Sequence, residues 1–257
     1  MRIDVTAFLG AYPFSRTPGT SPESLLAAMD RTGIDEAWVT HLPGVFWRDP
    51  TDGNPWLYQT CRDHPRLKPV PALHPGLAHW QDTLNEAVER RAPALRADPG
   101  FYGLDPVGPE MRVLAAACGA AGIALMMAAR LEDGRQRHPR DVTPDLPAAA
   151  LRALIRSDED LRLVVTHADR ALVEEVHFGS TPREAGRIWW DICWLWGPPE
   201  DHLATLLATI GPDRFVFGTG QPLRLPENSL AKLDLLDVSA EVRARIESTN
   251  AQRLTGS

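Results

Sequence analysis

Cysteine is scarce in this chain: only Cys61, Cys118 and Cys193 occur among 257 residues. An odd number with no CxxC spacing excludes a disulfide framework and a zinc knuckle, and points to a reducing compartment. Long apolar runs are also lacking; the longest stretch is about ten residues, against roughly 20 needed to cross a bilayer. Asp4 interrupts the first apolar segment, so no signal peptide is expected at the start. Positive charge is in deficit, 27 basic against 34 acidic residues for a net −7, with no basic run, which argues against a nucleic-acid partner. No GxGxxG follows the first strand-length run, so a dinucleotide fold is disfavoured. No proline- or glycine-rich linker divides the chain, and residues 1–257 read as one domain. The composition therefore leaves a cytoplasmic domain without membrane or nucleic-acid partners, with self-association left open.

What is present is a regular alternation. Apolar runs of strand length recur at residues 2–5, 34–40, 67–73, 92–97, 123–129, 161–166, 187–193 and 214–218. Their spacing is roughly 25 to 40 residues, about one βα unit. Between them lie amphipathic stretches at 80–91, 109–121, 147–157, 200–210 and 239–254. Another is opened by Ser21-Pro22-Glu23 and closed by Gly33. Eight such units predict an α/β fold of closed (β/α)₈ type, the TIM barrel. The proline-rich segments 12–22, 42–55 and 138–147 follow strands 1, 2 and 5, on the face that carries active sites in such barrels.

Four motifs in order carry a family resemblance. Residues 2–10 (RIDVTAFLG) resemble an I-D-x-H-x-H-x-G first strand, and 161–167 (LRLVVTH) a sixth strand ending in histidine. Residues 214–222 (RFVFGTGQP) resemble F-G-S/T-D-x-P on an eighth strand, and 250–254 (NAQRL) a closing N-A-x-R-L. Together they resemble the amidohydrolase superfamily, in the branch of aminocarboxymuconate-semialdehyde decarboxylase-like metal-dependent hydrolases. The resemblance implies a divalent metal, yet its ligand positions fall on Thr6, Phe8, Ala128 and Gly220, leaving His167 alone of the usual set. The expectation is therefore that no cofactor is needed and that the ancestral metal is lost. Residues 130–139 (RLEDGRQRHP) further resemble a smaller group of that branch, which locates a site without naming its reaction.

The candidate residues follow from these placements. His167 ends strand 6 and is a general acid or base, or else a buried relic. Arg130 shares the parity of Ala128 and could replace metal charge by gripping a carboxylate or phosphate; the alternative is an ion pair with Glu132, Asp133 or Asp191. Arg96 ends strand 4 and is the second candidate, with the same two readings, anion ligand or internal ion pair. Glu132 and His138 could form an acid–base pair, or belong to a charged loop folded on itself. His41 and His74 end strands 2 and 3, so a relocated zinc with His167 is conceivable. Asp4, Thr6 and Phe8 share one strand face and should point into the barrel, Asp4 as a buried structural acid. Trp47, Trp56, Trp194 and Trp196 could wall a pocket, to which Asp191 and Gln221 would also contribute. The expected function is an amidohydrolase-like hydrolase or carbon–carbon lyase acting on a small anionic or cyclic substrate. The alternative is a catalytically silent barrel that binds a ligand or a protein.

Overall fold

The structure is a computed structural model that describes residues 1–135 and 137–256. Gln136 of the motif after strand 5, and Ser257, lie outside the described residues. Eight parallel strands form where the apolar runs predict them: β1 Ile3–Leu9, β2 Glu36–His41, β3 Leu67–Pro69, β4 Ala94–Arg96, β5 Ala124–Ala128, β6 Leu163–Thr166, β7 Ile188–Asp191 and β8 Phe215–Val216. They hydrogen-bond in two ladders, β1-β2-β3 and β4-β5-β6-β7-β8. Bridges at Ala72–Arg96 and Ala7–Gln221 join the two ladders and close the (β/α)₈ barrel.

Alternation along the strands sorts the core into two layers. Leu9, Val39, Leu95, Leu125, Val165 and Phe217 face outward and pack against the helices. Ile3, Val5, Trp38, Met126, Val164 and Val216 fill the bore. On β1 the ladder register shifts between Asp4 and Ala7. This bulge corrects the expectation that Asp4, Thr6 and Phe8 share one face: Ile3 and Val5 join the bore, and Asp4 turns toward the segment after β8. There its Oδ1 accepts from the amides of Thr6 (2.9 Å) and Thr219 (3.0 Å), and its Oδ2 from the Thr219 hydroxyl (2.6 Å).

Local chemistry sets the helix ends. Ser21 caps the helix Pro22–Thr32 by accepting from Ser24 N, and Gly33 closes it at φ 64°. Helices also form at Asn54–Asp63, Arg170–Phe178 and Pro226–Leu235, which the sequence did not single out. The expected continuous C-terminal helix is instead divided into Ala240–Ala244, a π turn Arg245–Thr249, and Asn250–Thr255. The Ile246 carbonyl accepts from Phe217 N (2.8 Å), and the Asn250 amide donates to the carbonyls of Pro212 and Phe215 (2.8 Å each). Docking onto β8 widens that helix. Among the described residues no helix is long and apolar enough to cross a membrane.

Candidate active site

β6 delivers His167 just past its last residue, with φ 58°, a left-handed backbone that costs energy in a residue with a side chain. The strain is held by Asp191 at the end of β7, whose Oδ1 accepts from His167 N at 2.9 Å. The imidazole is fully buried, with Phe8 and Trp194 each at 5.9 Å between ring centroids. Its Nδ1 meets the Thr166 hydroxyl at 3.2 Å. Its Nε2 is buried without a hydrogen-bond partner, as is Asp191 Oδ2. Burial, reinforced by the positive charges of Arg96, Arg224 and Arg130, holds the imidazole well below its usual pKa and therefore neutral. Burial also raises the Asp191 carboxyl and the Cys193 thiol above their usual ranges.

Arg96 ends β4 inside the bore, 1 % exposed, as its parity predicts. Its Nε donates to Asp98 Oδ2 at 2.6 Å, its guanidinium lies 4.9 Å over the Phe8 ring, and one terminal nitrogen has no partner. Above it the barrel mouth is closed by rings from four loops. Tyr12, Phe14, Phe46 and Phe101 contact one another edge-on at 5.1 to 5.7 Å. His138 stacks on Phe14 at 5.2 Å and so belongs to this cover rather than to the bore.

The loop after β5 folds on itself. Arg137 donates to the carbonyls of Thr143 and Glu132 and pairs with Asp145, while Asp133 pairs with Arg135. Glu132 is thus tied in by its carbonyl. Arg130 does form ion pairs, though with other acids than expected: Asp145 (2.8 Å) and Asp169 (2.6 Å). His74 stacks on Tyr102 at 4.8 Å and accepts from Gly76 N. His41 packs between Trp47 and Trp56, at 5.0 and 5.2 Å. The three histidines His41, His74 and His167 are therefore not gathered on a common point: the first two are taken up by loop aromatics. Gln221 is buried at the β1–β8 closure, where its carbonyl accepts from Phe8 N.

Of the four tryptophans only Trp194 touches His167. Trp194 and Trp196 line a cleft of about 390 Å³ with Cys193, Arg224 and Lys232. The Arg224 guanidinium lies 3.5 Å from the Trp194 ring centroid and forms no ion pair among the described residues; its Nε is buried without a partner. Lys232, pushed down to about 8 by burial, donates to the carbonyls of Ile192 (3.0 Å) and Cys193 (2.8 Å). Arg224, Lys232 and Cys193 were missed in the sequence. The usable signal was Asp191-x-Cys193, an i, i+2 pair that leaves the end of a strand on one side.

The resemblance implies a divalent metal, and the residues fit one. Donor atoms of His167, Asp191 and Cys193 all lie within 4.8 Å of one another, and all three residues are buried. Gly220 packs closely beside them: a Cβ there would stand 3.2 Å from His167 Nε2 and 3.6 Å from Cys193 Sγ, so a side chain would crowd the donors.

A closed (β/α)₈ barrel with polar side chains gathered beyond the ends of its strands is the framework of a large class of enzymes. A family model described as amidohydrolase matches residues 13–256, and the chain belongs to that family. Among solved structures it is similar to 5-carboxyvanillate decarboxylase from Sphingomonas paucimobilis (14 % identity, TM-score 0.75, covering 99 % of this chain and 98 % of that one). It is also similar to 2,6-dihydroxybenzoate decarboxylase from Rhizobium (16 %, 0.73, 99 % and 98 %). A third is a dihydroxybenzoic acid decarboxylase from a Polaromonas species with bound manganese and 2-nitroresorcinol (14 %, 0.74, 99 % and 96 %). No sequence match to a curated protein is found. The manganese in that neighbour and the His167–Asp191–Cys193 cluster overturn the expectation of a cofactor-free barrel with its metal lost. Thr6, Phe8, Ala128 and Gly220 do stand at the positions the motifs assign to ligands, but donors from β6 and β7 are close enough to replace them.

Proposed function

We propose that this chain is a hydrolase or carbon–carbon lyase acting on a small anionic, cyclic substrate of the hydroxybenzoate kind. The observation that carries the reading is Arg224, a guanidinium with no ion pair among the described residues, stacked at the cleft on Trp194, which packs against His167. Stacking on the buried indole orients the guanidinium and leaves its edge for forked donation to a carboxylate. Arg96, with one unpaired nitrogen in the bore, adds positive charge behind it. Arg130 acts at one remove, because its charge is already matched by two aspartates.

The bare Nε2 lone pair of His167 is the atom on which the chemistry turns, as a proton acceptor or as a metal ligand. A divalent ion on His167, Asp191 and Cys193 would polarise a substrate carboxylate or carbonyl. The ring cover over the mouth favours a second reading, a binding barrel without turnover. Calorimetry and turnover assays on a panel of hydroxybenzoates and other cyclic carboxylates separate the two. Arg224→Gln is expected to weaken binding by about 2–4 kcal/mol, the range for a buried charged contact. His167→Asn, which tolerates the left-handed backbone, should lower turnover at least about 100-fold with a smaller effect on binding. Wild-type binding without turnover establishes the silent barrel. Equal binding by Arg224→Gln removes the cleft reading.

A further inference from the structure

We propose that His167, Asp191 and Cys193 form a seat for a thiophilic divalent cation, zinc in kind, with Cys193 bound as thiolate. The seat deepens the metal half of the reading above, and its test reads the ion alone, so it can fail while the substrate reading stands.

Three separate hydrogen-bond arrangements prepare the donors. The Thr166 hydroxyl gives its own hydrogen toward the Met127 carbonyl (3.5 Å), so it accepts from His167 Nδ1–H (3.2 Å), and the Nε2 lone pair is left bare. This is the tautomer a metal-bound histidine adopts, with its far nitrogen donating to an outer partner. Asp191 is fixed through Oδ1 by His167 N, and its carboxylate also faces the Thr6 hydroxyl and the Cys193 thiol. Cys193 is fixed through its carbonyl by Lys232 Nζ at 2.8 Å, which sets the direction of the strand end that carries the thiol. In the metal-free chain the Cys193 thiol proton faces Asp191, and a cation bound to both takes the place of that proton.

Distances and charge agree. Bonds of about 2.0–2.3 Å from zinc place tetrahedral ligand atoms roughly 3.3–3.8 Å apart, so donors within 4.8 Å of one another need to close by about 1 Å. A carboxylate and a thiolate neutralise a dipositive ion, and the thiol proton leaves to buffer as it binds. The loaded seat is then neutral, and the guanidinium groups of Arg96, Arg130 and Arg224 do not oppose it as they would a bare cation. Gly220 lacks the side chain that would fill the remaining side. His167 Nε2, Arg224 Cδ and Cys193 Sγ lie 3.2, 3.5 and 3.6 Å from where a Cβ would stand, so a side chain there would press on the donors. The sulfur sets the preference: thiolate with imidazole selects zinc and cobalt over manganese and magnesium, which prefer all-oxygen shells.

The test uses the full chain, stripped with chelator and titrated with Co²⁺ in a thiol-free buffer. One equivalent should bind, with a sulfur-to-cobalt charge-transfer band in the near ultraviolet and the visible bands of a tetrahedral ion. Zinc should bleach both, and a tenfold excess of Mn²⁺ should not. Cys193→Ser should lose the charge-transfer band, and Asp191→Asn should weaken binding at least tenfold. Should Cys193→Ser fail to fold, the double variant Cys61→Ser, Cys118→Ala leaves Cys193 as the sole thiol, and the band must survive in it. No band at one equivalent in the wild type, a band that persists in Cys193→Ser or vanishes in the double variant, or displacement by Mn²⁺ overturns the proposal.

Discussion

The Asp4 carboxyl receives three donors and is still held to about 7, because complete burial penalises its charge more than those hydrogen bonds favour it. Its folded-state value lies above the unfolded one of 3.8, so the folded chain keeps this proton longer. Between those two values rising pH therefore removes stability. Buried neutral His167 works in the opposite sense below its ordinary value, so Asp4 is read by difference. From about pH 5 to about pH 8, the Asp4→Asn variant should gain roughly 2–3 kcal/mol on the wild type, measured by urea unfolding at fixed pH. A difference that does not move with pH would remove this account. Residues of the site were legible only where a strand motif named them, as with His167. Arg224 is spaced from its indole by a loop, and no periodicity relates it to Trp194. The acids that bind Arg130 lie 15 and 39 residues away, whereas the sequence offered nearer ones in Glu132 and Asp133.

The segment that follows β5 behaves as one element although it has no regular structure. Arg130 joins its far end, through Asp145, to Asp169, the residue that caps the helix Arg170–Phe178 by accepting from Leu172 N. Its side chain is 14 % exposed while its partners are 38–42 % exposed, so solvent screening takes much of the Coulomb gain. Arg130→Met should therefore cost about 1–2 kcal/mol of stability, well short of a fully buried pair. The same variant should be cut faster by protease between residues 131 and 146. An unchanged melting curve and digestion pattern would show that the clamp holds nothing. Elements with strong period-two or period-3.6 patterning were legible to within a few residues, which is why all eight strands were found. The helix Asn54–Asp63 was not, because it starts at Gly53 with no side-chain cap inside a proline-rich stretch that resembles a loop. The break in the C-terminal helix was hidden for a different reason: its cause is the Phe217 amide, donated from another element.

At the scale of the molecule, closure of the barrel rests on unequal seams. Neighbouring strands within each ladder share a continuous run of bonds, but the two ladders meet through few. One seam is made by Leu73 N to Arg96 O and Arg96 N to Pro71 O, both 2.9 Å. The other is made by Val5 N to Phe217 O, Phe8 N to Gln221 O and Gly220 N to Thr6 O. Regions with sparse backbone bonding open at lower free energy than the strands between them. Amide hydrogens of Leu73, Arg96, Phe8 and Gly220 should accordingly exchange before those of Met126 and Val164 in the middle of the larger ladder. Exchange in the reverse order would mean that the seams are not the weak lines. The barrel is in this sense a clamshell of three staves and five, and Phe8, Arg96 and Gly220 sit on its two hinge lines.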